Sequence, residues 1–99
     1  MPGGVAERFE RDMGCTEAEW LRWLPGAVGA APLRVSARAA LVTVGAGTLC
    51  LRWQPLPART IALLHIARLH VSFAFEGVEP AQREAFIRRF DLFTQRGGG

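Results

Sequence analysis

Hydrophobic and polar positions change period several times along the chain, and each change marks an element. Val5, Phe9 and Met13 recur every four residues, which predicts a helix over 5–13 that Gly14 weakens. Thr16-Glu17-Ala18-Glu19 is a capping box, so a helix restarts there, with Trp20, Trp23 and Leu24 as its buried stripe and Pro25-Gly26 as its stop. One long kinked helix from Phe9 to Leu24 buries the same residues. Pro25 to Pro32 reads as a connector.

From Leu33 the period becomes two. Leu33, Val35, Ala37, Ala39 and Leu41 share one face of a strand, with Arg34, Ser36 and Arg38 on the other. Gly45-Ala46-Gly47 turns the chain, and Thr48 to Gln54 returns it. A three-residue loop sets Leu41 against Leu51 and Ala39 against Trp53, keeping apolar residues together, whereas a two-residue loop is read as placing Leu41 opposite Arg52. Pro55-Leu56-Pro57 then marks a corner.

Arg59 to Glu76 is the longest apolar run. Its second half alternates, with Leu69, Val71, Phe73 and Phe75 facing inward, while Ile61 to Ile66 is apolar on both sides. As one strand the run would extend about 56 Å at ~3.3 Å per residue, beyond the roughly 34 Å diameter of a domain this size. It must bend, and a hairpin turning within His65 to Arg68 is preferred to a helix from Arg59 to about Ala67. Ala and Leu favour that helix. Gly77 ends the run and Pro80 opens a last helix, with Phe86, Phe90 and Phe93 on its apolar stripe, Ala85 and Ile87 at the edges, and Arg83, Glu84, Arg88 and Asp91 on its solvent side.

The expected architecture is α+β: a four-stranded, mostly antiparallel sheet with N-terminal and C-terminal helices packed on one face. The 99 residues form one domain, with residues 1–4 and 97–99 as flexible ends.

Composition narrows the function classes. No run is apolar enough to span a membrane and the first residues lack a secretory h-region, so a cytoplasmic protein is expected. Cys15 and Cys50 have no paired spacing and read as reduced thiols. All twelve basic residues are Arg, which with abundant Ala, Gly and Pro suggests a GC-rich bacterial genome. Residues 1–19 carry net −3, residues 20–75 carry six Arg and no acid, and residues 76–99 balance.

That cationic middle sets the candidate chemistry. Arg34, Arg38, Arg52 and Arg68, with His70, would share an open sheet face able to hold an anion or a nucleic-acid backbone. The bland alternative is a solvated face whose Arg residues pair with acids of the first helix. No aromatic residue is expected on that face for base stacking. His65 and His70 lack a positioned carboxylate or thiolate, so no metal site and no cofactor are expected. No acid/base pair or nucleophile assembles either, and an enzyme is the least supported class. Gly97-Gly98-Gly99 resembles the free Gly-Gly tip of ubiquitin-like modifiers over those last residues alone, and here it follows a helix.

A non-catalytic interaction or assembly module therefore leads, with a protein partner or self-association as a homodimer. Ile61, Leu63 and His65 are its expected interface, because Ile61 and Leu63 would project onto the open face as an apolar patch.

Overall fold

The first segment settles as a strand, because a spacing of four satisfies period two as well as the helical period. In the computed structural model, which describes residues 4–95, strand β1 spans Arg8–Met13. Phe9 and Met13 stay on one side, as the helical reading had them, but Arg11 now lies between them on the inner face. Its guanidinium is tolerated there because it pairs with both carboxylate oxygens of Asp91 and lies over the Phe9 and Phe73 rings, 5.3 and 5.5 Å from their centroids. Asp91 is thus turned inward rather than out to solvent. Arg83 also leaves the solvent side, donating to the carbonyls of Val5 and Val78. Of the end segments expected at 1–4 and 97–99, residues 1–3 and 97–99 lie outside the described residues.

Helix α1, Glu17–Val28, starts at the Thr16 capping box, whose two hydrogen bonds measure 2.9 and 3.0 Å. It runs through Pro25-Gly26 instead of stopping there. Burial of Ala27 and Val28 extends it, and Gly26 leaves room for the Phe93 ring, whose nearest atom would stand 2.2 Å from an added Cβ. Helix α2, Pro80–Gln95, packs against α1 and carries Glu84 and Arg88 as an i,i+4 pair at 3.0 Å.

Between the helices lies a meander: β2 Leu33–Ser36, β3 Ala39–Val44, β4 Gly47–Ile61 and β5 Leu64–Glu76. β1 adds to β5, so the sheet has five strands, not four, in the order β1-β5-β4-β3-β2, every neighbour antiparallel. Both helices cover one face.

The expected strand from Leu33 to Leu41 is broken by a two-residue turn at Ala37-Arg38, both at positive φ. Reversal there changes the inward parity. Leu33 faces the helices, and after the turn Ala40, Val42 and Val44 are buried while Leu41 points outward, opposite Cys50. The next turn is likewise two residues, Gly45-Ala46, with Val44 opposite Gly47; neither register expected from the loop length is the observed one. Gly47 is required because an added Cβ would meet the Glu76 carbonyl at 2.1 Å.

The core joins Trp20, Leu24, Val42, Leu49, Leu51, Leu69, Val71 and Phe73 with Phe90, which is fully buried. Phe90 meets Trp20 and Phe73 edge-on at 5.7 and 5.6 Å. Phe90→Ala is expected to cost about 3–5 kcal/mol, the usual range for emptying a buried phenylalanine site, measured by urea unfolding monitored through tryptophan fluorescence.

Candidate functional site

β4 and β5 are far longer than their neighbours. β3 accompanies β4 only to Arg52, and β1 accompanies β5 only from Leu69 onward, so beyond these points the two strands pair with each other alone. They form a two-stranded arm whose turn is Ala62-Leu63, Ala62 adopting φ 54°. The hairpin preferred from the sequence is present, but its turn falls before His65 rather than within His65 to Arg68. Pro55-Leu56-Pro57 does not end the strand. A register shift between Leu56 and Arg59 absorbs one extra residue there.

Backbone direction explains why prolines are tolerated at this place. The Trp53 N–H donates to the Arg38 carbonyl on the β3 side, so Pro55, two residues on, aims its ring nitrogen at the side from which β3 has departed. No ladder bond is lost.

The arm holds the residues expected as a partner interface. Leu63 is 95% exposed at the tip, Ile61 52%, and the neighbouring Leu64 and Ile66 are 66% and 39% exposed. Ile61 stands opposite Leu64, and Arg59 opposite Ile66, so these four share a face, while Leu63 lies in the turn itself. His65 is on the other side of the arm, its Nδ1 3.3 Å from the Thr60 hydroxyl. Sequence reasoning named Ile61, Leu63 and His65 but not Leu64 and Ile66, because a turn placed late conceals which residues stand opposite one another.

The five residues expected to form a cationic patch separate into three environments. Arg38 leaves the open face and donates to Glu17 at 2.9 and 3.1 Å, and the Trp53 indole N–H donates to the same carboxylate at 2.9 Å. Arg68 stays on the open face but donates to Asp12 at 2.6 Å. His70 stands between carboxylates, Nε2 3.0 Å from Glu10 and Nδ1 3.5 Å from Asp12. Arg34 remains near Ser36, Leu41 and Cys50, and Arg52 near Gln54, His70 and Ser72. The acids that neutralise this end belong to β1, which the helical reading had taken out of the sheet.

The hydrogen bond from Arg68, followed by that from His70, holds the Asp12 carboxyl below its ordinary value. Arg38 and then Trp53 do the same for Glu17. Burial, with a smaller contribution from Glu19, pushes the Cys15 thiol up to about 11. Among the described residues, no three His, Cys, Asp or Glu side chains gather as a metal site, and no helix is long and apolar enough to cross a membrane. No protein-family model, curated protein or solved structure matches the chain.

Two outcomes follow from these environments. A carboxyl depressed on folding stabilises the fold above its unfolded value, 4.5 for Glu17, and that contribution is lost as pH falls through the lowered folded value. Acid titration of the melting temperature should therefore fall less steeply below pH 4.5 for Glu17→Gln than for the wild type. Iodoacetamide followed by mass spectrometry should label Cys50 in the native state and Cys15 only after unfolding, since Cys15 is 1% exposed.

Proposed function

We propose that this chain is a small non-catalytic interaction or assembly module that engages a protein partner through the tip of the β4–β5 arm. The observation that carries the reading is the exposure of Ile61, Leu63, Leu64 and Ile66 on a projection that the rest of the fold does not cover. Other exposed large apolar residues are dispersed: Leu21 on α1, Val35 on β2, Leu41 on β3 and Leu92 on α2. Single apolar side chains on a surface are ordinary, whereas four together at the end of an arm form a patch of the kind that partners bury.

An anion or nucleic-acid site is the weaker reading. Glu17 draws Arg38 off the open face, Asp12 offsets the charge of Arg68 through one of its nitrogens, and with Trp53, Phe73 and Phe75 buried no stacking platform lies on the open face among the described residues.

The test pairs the wild type with the Ile61→Asp/Leu63→Asp double variant in affinity capture and in light scattering across a concentration series. Both positions are exposed, so the variant should keep its unfolding free energy within about 0.5 kcal/mol and lose the captured partner. A concentration-dependent dimer that the variant abolishes would make the partner a second copy. Identical capture by both proteins, with both monomeric at every concentration, would sink the reading.

A further inference from the structure

The two edges of the arm are not equivalent. On β4 the outward side carries Pro55, Pro57 and the register shift, which together obstruct a further strand. On β5 the outward side is unobstructed. The Phe75 N–H donates to the Glu7 carbonyl in the β1 lane, so residues at odd positions of β5 direct their backbone groups toward that lane. Leu69, Val71 and Phe73 meet β1 there, but β1 ends at Met13, and His65 and Ala67 face the same lane with no strand beside them among the described residues. The open edge runs over Leu64–Arg68, about 17 Å at ~3.3 Å per residue, the length of an average strand.

The charge beside this edge is net positive. A concavity at the foot of the arm, where the chain leaves β5 at Met13-Gly14, is lined by Asp12, Arg59, Ile66, Ala67 and Arg68. Asp12 engages Arg68 through Nη2 alone, and the Arg68 Nε is buried without an acceptor among the described residues. Arg59, Arg68 and Asp12 leave one net positive charge next to an apolar wall. The next acids in either direction along the chain are Glu19 and Glu76, so the arm itself supplies none.

We propose that an extended acidic segment of another protein adds as a strand to the outer edge of β5 over Leu64–Arg68, continuing the lane of β1, with a carboxylate seated between Arg59 and Arg68. The proposal rests on the reading of the arm as the docking element and names its occupant. Backbone groups of His65 and Ala67 supply the ladder, Ile66 takes an apolar side chain, and the two guanidiniums select acid over base. A second copy fits poorly. Asp12, Glu17, Glu84 and Asp91 are ion-paired, Glu10 is against His70 and Glu19 is in the capping box, while Glu7, Glu76 and Glu79 sit at the end of the sheet away from the arm. A lipid surface fits poorly too, because the open backbone groups of β5 would enter hydrocarbon unsatisfied.

The experiment uses the full chain, ¹⁵N-labelled, and a short peptide, Thr-Val-Thr-Glu-Thr-Val-Thr-Glu, which sets valine and glutamate in turn on one face of an extended strand. Controls are the same peptide with lysine for glutamate, a version N-methylated at alternate backbone nitrogens, and phosphatidylglycerol vesicles. The acidic peptide is expected to shift the His65 and Ala67 amides and slow their exchange, with the N-methylated and lysine peptides weaker by about tenfold or more. Ala67→Pro should weaken the acidic peptide similarly, and Arg59→Glu should invert the charge preference. Should Ala67→Pro fail to fold, the N-methylated peptide on the wild type makes the same test. Absence of shifts at about 1 mM peptide, shifts confined to other strands, or vesicle binding that Arg59→Glu leaves intact would each overturn strand addition. If that happens while Ile61→Asp/Leu63→Asp still loses the captured partner, the arm remains the docking element and only its occupant is wrong.

Discussion

The rest of the structure depends on a mismatch of strand lengths. β4 has fifteen residues and β5 thirteen, while β1, β2 and β3 have six, four and six. Two helices of twelve and sixteen residues cover the sheet as far as Trp53 and Leu69, which are buried, and not the hairpin beyond them. What remains of the central hairpin has no layer against it. The longest dimension of the molecule, 46 Å against 32 and 23 Å, reflects this excess. An isolated two-stranded ladder is marginal in water, so the arm relies on continuity with the sheet, where Leu69, Val71, Phe73 and Phe75 are buried under the helices.

At the opposite side of the sheet the fold is pinned by one carboxylate. Glu17 sits in the first turn of α1 and accepts from Arg38 in the β2–β3 turn and from Trp53 on β4. That triple junction accompanies a turn in which Ala37 and Arg38 both adopt positive φ, a conformation that ordinary side chains resist. The exposed ion pair adds little energy by itself, but it gives the Arg38 side chain a partner on the helix side. The turn decides the face of every residue in β3, so an unremarkable surface pair coincides with the point where the inward parity changes.

The cationic face looked continuous in the sequence because charge was counted along the chain. In space, β1 brings Glu10 and Asp12 across from His70 and Arg68, and α1 draws Arg38 to the other side. The expectation that these Arg residues pair with acids of the first helix holds for Arg38 and Glu17, while Arg68 pairs with an acid of β1. Arg34 and Arg52 stay where alternation placed them. The apolar excess at Ile61 to Ile66 was legible for the same reason that it is exposed: a segment apolar on both faces cannot be covered by helices that lie on one. Leu64, Ile66 and the open edge of β5 were not legible, since both depend on the turn position and on where β1 stops.

Local chemistry by itself determined the capping box at Thr16, the alternation from Leu69 to Phe75, the last helix from Pro80 and the presence of a bend in the long apolar run. Each rests on neighbours within a few residues, where spacing maps directly onto geometry. Only the tertiary structure decided that 8–13 is a strand, that α1 passes through Pro25, that β2 and β3 are separate and that the arm turns at Ala62-Leu63. Those choices compare alternatives of nearly equal local merit. A spacing of four suits a strand or a helix, and Gly45-Ala46 closes as readily as a longer loop. The balance is set by which arrangement gives β5 a second neighbour and the helices a continuous apolar floor.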